Sequence, residues 1–168
     1  MVAPPILRVD DAFVLEGWRL EDAASHRSFA EDAAAARFLG WTVEEARARP
    51  DAHYIGVIER FQEDWVSGSR LSPRDSASTK GEAVGAVEVR PCDDAVEVSF
   101  LVAPPFRGQG LATRALSALL DWATRELSVS RALLNCDADN LASQRVAEKS
   151  GFPLAQRDGN RLLFIRRV

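Results

Sequence analysis

The chain has few of the residues that metal and redox centres require: two cysteines and two histidines in 168 residues. Cys92 and Cys136 do not form a C-x-x-C unit, and His26 and His53 stand apart, so no metal is expected and both thiols are read as buried or bystander groups. Long apolar runs are also missing. Charge interrupts every one within about eight positions, short of the roughly 18 residues of a membrane span, so no membrane segment is expected. A basic excess is lacking: 21 Lys and Arg stand against 25 Asp and Glu, a formal net charge of -4, which argues against a nucleic-acid groove and mildly favours a cationic partner. The stretch "MVAPPILRVDD" does not have the basic, apolar, small-residue layout of a secretory signal, which makes a cytoplasmic location the expectation. There is no internal repeat, no low-complexity tract and no Gly-Lys-Ser/Thr of a P-loop.

What is present is apolar material for one ordinary core, 46% of the residues, and the chain reads as a single domain over 1–168. "AFVLEGWRL" (12–20) reads as a first strand running into Ala-rich helical sequence closed by Gly40. In the next segment Tyr54, Val57, Ile58, Phe61 and Trp65 recur at three- and four-residue steps, which predicts a helix ended by Gly68. Residues 67–82, rich in serine, read as a weak edge strand plus a turn. The period then changes to two, and "EAVGAVEVR" (82–90) with "AVEVSFLV" (95–102) predicts an antiparallel hairpin. A strongly amphipathic helix (109–127), a short buried strand (131–136), a helix from Asn140 to Gly151 and a final hairpin around Asp158-Gly159-Asn160 complete a mixed α/β pattern.

"LVAPPFRGQGLATRAL" (101–116) carries the chemistry. A strand that enters a helix through Gly108 and Gly110 exposes main-chain N–H groups without intrahelical partners, and glycine lets a ligand approach them. Such a helix start favours anions, most naturally phosphates, and Arg107 adds charge beside it. The dinucleotide pattern G-x-G-x-x-G is met only as "GQGLAT", with Thr113 where the third small residue belongs.

"RGQGLA" (107–112) resembles the pyrophosphate motif Q/R-x-x-G-x-G/A of the GNAT N-acetyltransferases. "NLASQRVAEKSGF", one strand downstream, resembles that family's second cofactor element, and "WRLEDA" with "ARFLGW" resembles the branch of ribosomal-protein N-terminal (Rim-type) acetyltransferases. The resemblance implies a central, mostly antiparallel twisted sheet of about six to seven strands with about four helices, splayed at the strand that binds coenzyme A. It implies acetyl-CoA as acyl donor and an amine acceptor, a protein N-terminus or a small molecule. It leaves oligomeric state open, a homodimer being common in such families. By the same resemblance Phe100, Leu101 and Val102 pair with the pantetheine arm, and Arg107, Gly108, Gln109, Gly110, Leu111, Ala112 and Thr113 form the pyrophosphate loop. Asn140 and Ser143 contact the pantetheine and thioester end.

Glu97 matches the general-base glutamate of some members, and Glu88 on the facing strand is the next candidate and also a substrate contact. For an α-amine, with a free pKa of about 7.7–8.0, a water relay serves as well. Many relatives carry a tyrosine as general acid where this chain has Ala147; Ser143 is the substitute, with solvent the alternative. The tryptophans read as packing residues, except Trp41, which falls where family members line the acceptor site. Two other classes stay open: a non-catalytic acyl-CoA-binding module and a nucleotide-binding protein.

Overall fold

The computed structural model describes residues 4–77 and 81–168. At its centre lies the expected hairpin, β4 (Ala83–Cys92) and β5 (Ala95–Val102), joined by a turn at Asp93-Asp94. The register sets Val87 opposite Phe100 and Val89 opposite Val98, so one face of the hairpin is apolar and the other carries Glu88, Arg90 and Glu97. On the apolar face lies α5 (Leu111–Leu127), which buries Leu111, Ala115, Leu116, Leu119, Leu120 and Ala123 against Val87, Val89, Val96 and Val98. Next to it α6 (Leu141–Lys149) seats Ala147 in the same core with none of its surface exposed.

Among the described residues the sheet has eight strands in the order β1-β2-β3-β4-β5-β6-β8-β7. β1 (Leu7–Arg8), β2 (Phe13–Glu16) and β3 (Arg74–Ala77) extend it antiparallel on one side. β6 (Arg131–Asp137) is parallel to β5, and the hairpin of β7 (Leu154–Asp158) and β8 (Arg161–Arg167) closes the other side. The face opposite α5 is covered by α1 (Ala23–Ala30), α2 (Ala33–Leu39), α3 (Val43–Ala48) and α4 (Asp51–Ser67), with Trp18, Phe29 and Ile58 packed on Ala83 and Ala86. Gly40 and Gly68 end α2 and α4 in the left-handed conformation, as their positions in the sequence predict. No helix of the described residues is long and apolar enough to cross a membrane.

Among the described residues, six α-helices and eight strands exceed the expected numbers because several elements are short. The strand expected over 12–20 is β2, shorter than expected and ending at Glu16, and the two-residue β1 precedes it. The larger correction is β3, which is no edge strand: it lies between β2 and β4. Its "RDS" hides the pattern of a buried strand because polar partners replace apolar packing. Arg74 is fully buried, with its guanidinium 2.8 Å from Asp22 Oδ2 and 3.1 Å from Glu16 Oε1, and it donates to Gly81 O. Ser76 Oγ donates to Glu16 Oε1. The middle of the predicted turn, residues 78–80, lies outside the described residues.

Asp75, 1% exposed, is the exception, since neither carboxylate oxygen has a hydrogen-bond partner. It fits only because residue 85 is glycine, where a Cβ would lie 2.9 Å from Asp75 Oδ2 and 2.7 Å from Leu101 O. In the helical layer the buried Tyr54 hydroxyl donates to Ala46 O at 2.7 Å and ties α4 to α3. Tyr54→Phe leaves that carbonyl without the bond and is expected to lower unfolding stability by about 1 kcal/mol. An unchanged midpoint in urea would show that the bond carries no net stability.

Candidate active site

Parallel pairing of β5 with β6 runs from Ala95 to Val98 and stops at Leu134. Beyond it β5 follows β4 while Asn135, Cys136 and Asp137 follow β8, so the sheet forks. Alternate residues of a strand direct their main-chain groups to opposite sides. Leu101 opposes Ala86, and on β4 Val87 and Val89 direct their main-chain groups away from β5, to Pro73 and Leu71. Leu101 therefore points its main chain at β4, and Phe100 and Val102 point theirs into the fork. The family resemblance implies an arm-binding edge made of all three residues, whereas the register turns only the main-chain groups of Phe100 and Val102 toward the fork. Val102 O already accepts from Arg107 Nε at 2.8 Å.

The chain leaves the fork through one 3-10 turn at Pro104–Phe106 and bends at Gly108 and Gly110, both at φ +74°. Arg114 N–H is the first to reach a carbonyl behind it, Gly110 O at 3.1 Å, which leaves the N–H groups of Leu111, Ala112 and Thr113 at the open helix start. The Leu111 side chain is buried, so it serves the core while its amide serves the loop. Gln109 Nε2 donates to Pro105 O, and Arg114 Nη1 donates to Gln109 O at 2.7 Å. Arg107 meets Asp32 at 2.6 Å, and Arg114 meets Asp10 at 2.8 Å.

On the other lip, Asn140 Oδ1 accepts from Ser143 N–H at 3.1 Å and caps α6. Asp139, one residue earlier, pairs with Arg37 of α2. Thus α2 is tied to both lips of the fork, through Asp32 and through Arg37. Trp41 is anchored in the helical layer. Its indole N–H donates to Ala30 O at 3.0 Å, and the Arg49 guanidinium lies over its ring.

Glu88 and Glu97 share the sheet face opposite α5, at the base of the fork. Glu97 Oε1 accepts from Asn135 Nδ2 at 2.9 Å, and its Oε2 lies 3.4 Å from Arg90 Nη2. Glu88 Oε1 lies 3.3 Å from Arg90 Nη1 and 3.6 Å from Arg70 Nε. The two carboxylates therefore share one guanidinium, while Ser143 belongs to α6, which packs on the α5 side. Arg90 and Asn135 were not singled out from the sequence. Arg90 was within reach of the period-two rule, being two residues after Glu88 on the same face; Asn135 carried no local signal, because its place at the vertex depends on where two strands part. Cys136 is buried in the main core, and burial raises its thiol above the usual range.

A forked sheet with an open main-chain edge beside a glycine-bent helix start defines an α/β scaffold suited to an extended ligand that carries amides and ends in an anion. The sequence matches the family model described as "Acetyltransferase (GNAT) domain" over residues 12–153, and the chain belongs to that acetyltransferase family. It is 30% identical over 142 residues to the uncharacterized N-acetyltransferase YjdG of Bacillus subtilis (strain 168), covering 80% of this chain and 81% of that one.

Among solved structures, RimL, a ribosomal alpha-N-protein acetyltransferase in complex with coenzyme A, superposes with a TM-score of 0.82 at 18% identity over 98% of each chain. The microcin self-immunity acetyltransferase MccE, in complex with acetyl-CoA and AMP, gives 0.80 at 18% identity over 95% of this chain and 94% of its own. An acetyltransferase from Agrobacterium tumefaciens gives 0.78 at 22% identity over 99% and 96%. At these identities the likeness is one of fold.

Proposed function

We propose that the protein transfers an acetyl group from acetyl-CoA to a primary amine, and that the acceptor is the α-amine of a protein N-terminus or a small amine. The observation that carries this reading is the fork with its loop. Phe100 N–H and C=O and Val102 N–H face the space between β5 and β6, where an amide-bearing arm pairs as a strand would, and the amides at the start of α5 face the position of its pyrophosphate. The RimL and MccE structures, which hold coenzyme A and acetyl-CoA, support the choice of donor.

In the proposed reaction the amine nitrogen attacks the thioester carbonyl carbon, the carbon–sulfur bond breaks, and the electron pair leaves with the thiolate. The ammonium proton passes to Glu97, directly or through water, and Asn135 and Arg90 hold that carboxylate in place. Glu88 is the second carboxylate within the same guanidinium's reach. Ser143, at the start of α6, relays a proton from solvent to the thiolate, giving its own and taking one from water, a role that the methyl group of the buried Ala147 cannot take. Arg90 bridges both carboxylates and so fixes the position of the two candidate bases at the base of the fork. An α-amine, with a free pKa of about 7.7–8.0, needs less help to lose its proton than a lysine side chain.

The test is thiol release from acetyl-CoA in the presence of peptides with free N-termini, polyamines, aminoglycosides and amino-acid derivatives. Amine-dependent release is expected. Coenzyme A binding without release from any of them would make the chain a non-catalytic binding module. In the same assay Glu97→Gln is expected to lower turnover about tenfold at pH 7 and to recover part of it at pH 9, where the free amine forms without help. An undiminished rate at both pH values would move the base to Glu88 or to water.

A further inference from the structure

Two guanidiniums bracket the loop, and each is already held by a carboxylate from a distant element. Arg107 is gripped by both oxygens of Asp32, with Nη2 at 2.6 Å and Nη1 at 3.4 Å. Arg114, whose Nη1 lies 3.1 Å from where a Cβ on Gly110 would be, has its Nε 2.8 Å from Asp10 Oδ2. Neither aspartate is needed for this purpose alone. Asp32 caps α2 by accepting Ala35 N–H at 2.9 Å, and Asp10 closes the β1–β2 turn by accepting Ala12 N–H at 2.7 Å and Phe13 N–H at 3.0 Å. Asparagine would serve both turns equally well, so the charge itself is what distinguishes the residues present. For Asp32, burial works to raise the pKa, but the hydrogen bond and charge of Arg107 with the Ala35 amide outweigh it, and the group titrates below the usual carboxylate range. Asp10 is lowered in the same way, burial being offset by the amides of Ala12 and Phe13 and by Arg114.

We infer that Asp10 and Asp32 set the affinity of the donor loop, by cancelling the charge of the two arginines beside it so that the main-chain amides hold the donor's anion and coenzyme A can leave after transfer. This rests on the proposed reading of the loop as a pyrophosphate site. Two carboxylates near a doubly charged group lower its affinity through Coulomb repulsion, and the effect fades with salt.

Asp10→Asn and Asp32→Asn remove the charge and keep one oxygen to accept the turn amides, while the second acceptor facing the arginine becomes an NH2 group. Each is expected to tighten coenzyme A about fivefold in calorimetry at low salt, with the gain shrinking at high salt and with no change for uncharged pantetheine. Turnover limited by product release would slow correspondingly. Unchanged or weaker binding of coenzyme A by both variants would overturn the inference, as would an equal gain for pantetheine, which signals a change of shape rather than of charge. The wild-type protein tests the underlying reading separately. If it binds pantetheine as tightly as coenzyme A, and inorganic pyrophosphate does not compete, the loop is no pyrophosphate site and the inference falls with it.

Discussion

Gly110→Glu is expected to weaken coenzyme A binding by about 10²–10⁴-fold, the equivalent of two lost hydrogen bonds to a charged group at about 1.5–3 kcal/mol each. Three effects act together. Gly110 sits at φ +74°, where a side chain is strained. A Cβ there would meet Arg114 Nη1 at 3.1 Å and push it from Gln109 O, the contact that fixes the loop. The added carboxylate then reaches the open amides of Leu111 to Thr113 and occupies the anion's place. The helix itself should survive, because a negative charge near its first turn favours it. Calorimetry with coenzyme A, beside a thermal melt showing the fold intact, reads the effect. Affinity equal to that of the wild type would mean that the loop does not hold the donor.

The second large effect is one of stability. Burial pushes the Asp75 carboxyl up from 3.8 to about 7, and no charged partner offsets it. An acid whose folded pKa is raised binds its proton more tightly in the folded state, so its contribution is most favourable below the unfolded pKa. It is lost as pH rises from about 4 to about 7. Across that window the protein should lose up to about 4 kcal/mol through this one group. Asp75→Asn keeps the shape and cannot ionise. It is expected to raise Tm on the order of 10 °C at pH 8 and to change it little at pH 4, where the native carboxyl is neutral too. A gain that is the same at both pH values would show that charge on Asp75 is not its source.

Much of the fold was legible because local rules and burial agreed. The valines of β4 and β5 alternate, the leucines of α5 recur on one face, and Gly40, Gly68 and Gly151 stand where helices end in the left-handed conformation. β3 lies inside the sheet although its sequence has the character of an edge strand, because its buried residues are polar. Arg74 and Ser76 sit inside the sheet only because Glu16 and Asp22, more than fifty residues earlier, meet them there. For the site, the loop glycines and Asn140 could be found by motif, since main-chain geometry demands those residue types at those spacings. Arg90 was within reach of strand periodicity, but Asn135 could not be found that way, and neither could the pairing of Arg107 with Asp32, which spans 75 residues.

Periodicity, turn chemistry and the glycine-bent entry to α5 were therefore properties of the chain alone, each a constraint within a few residues. The fork, the choice of Phe100 and Val102 over Leu101, the shared guanidinium of Glu88 and Glu97, and the neutralised arginines were decided by the tertiary structure. They depend on strand register and on charges brought together from distant segments, and such long-range pairings leave no periodic trace in a sequence.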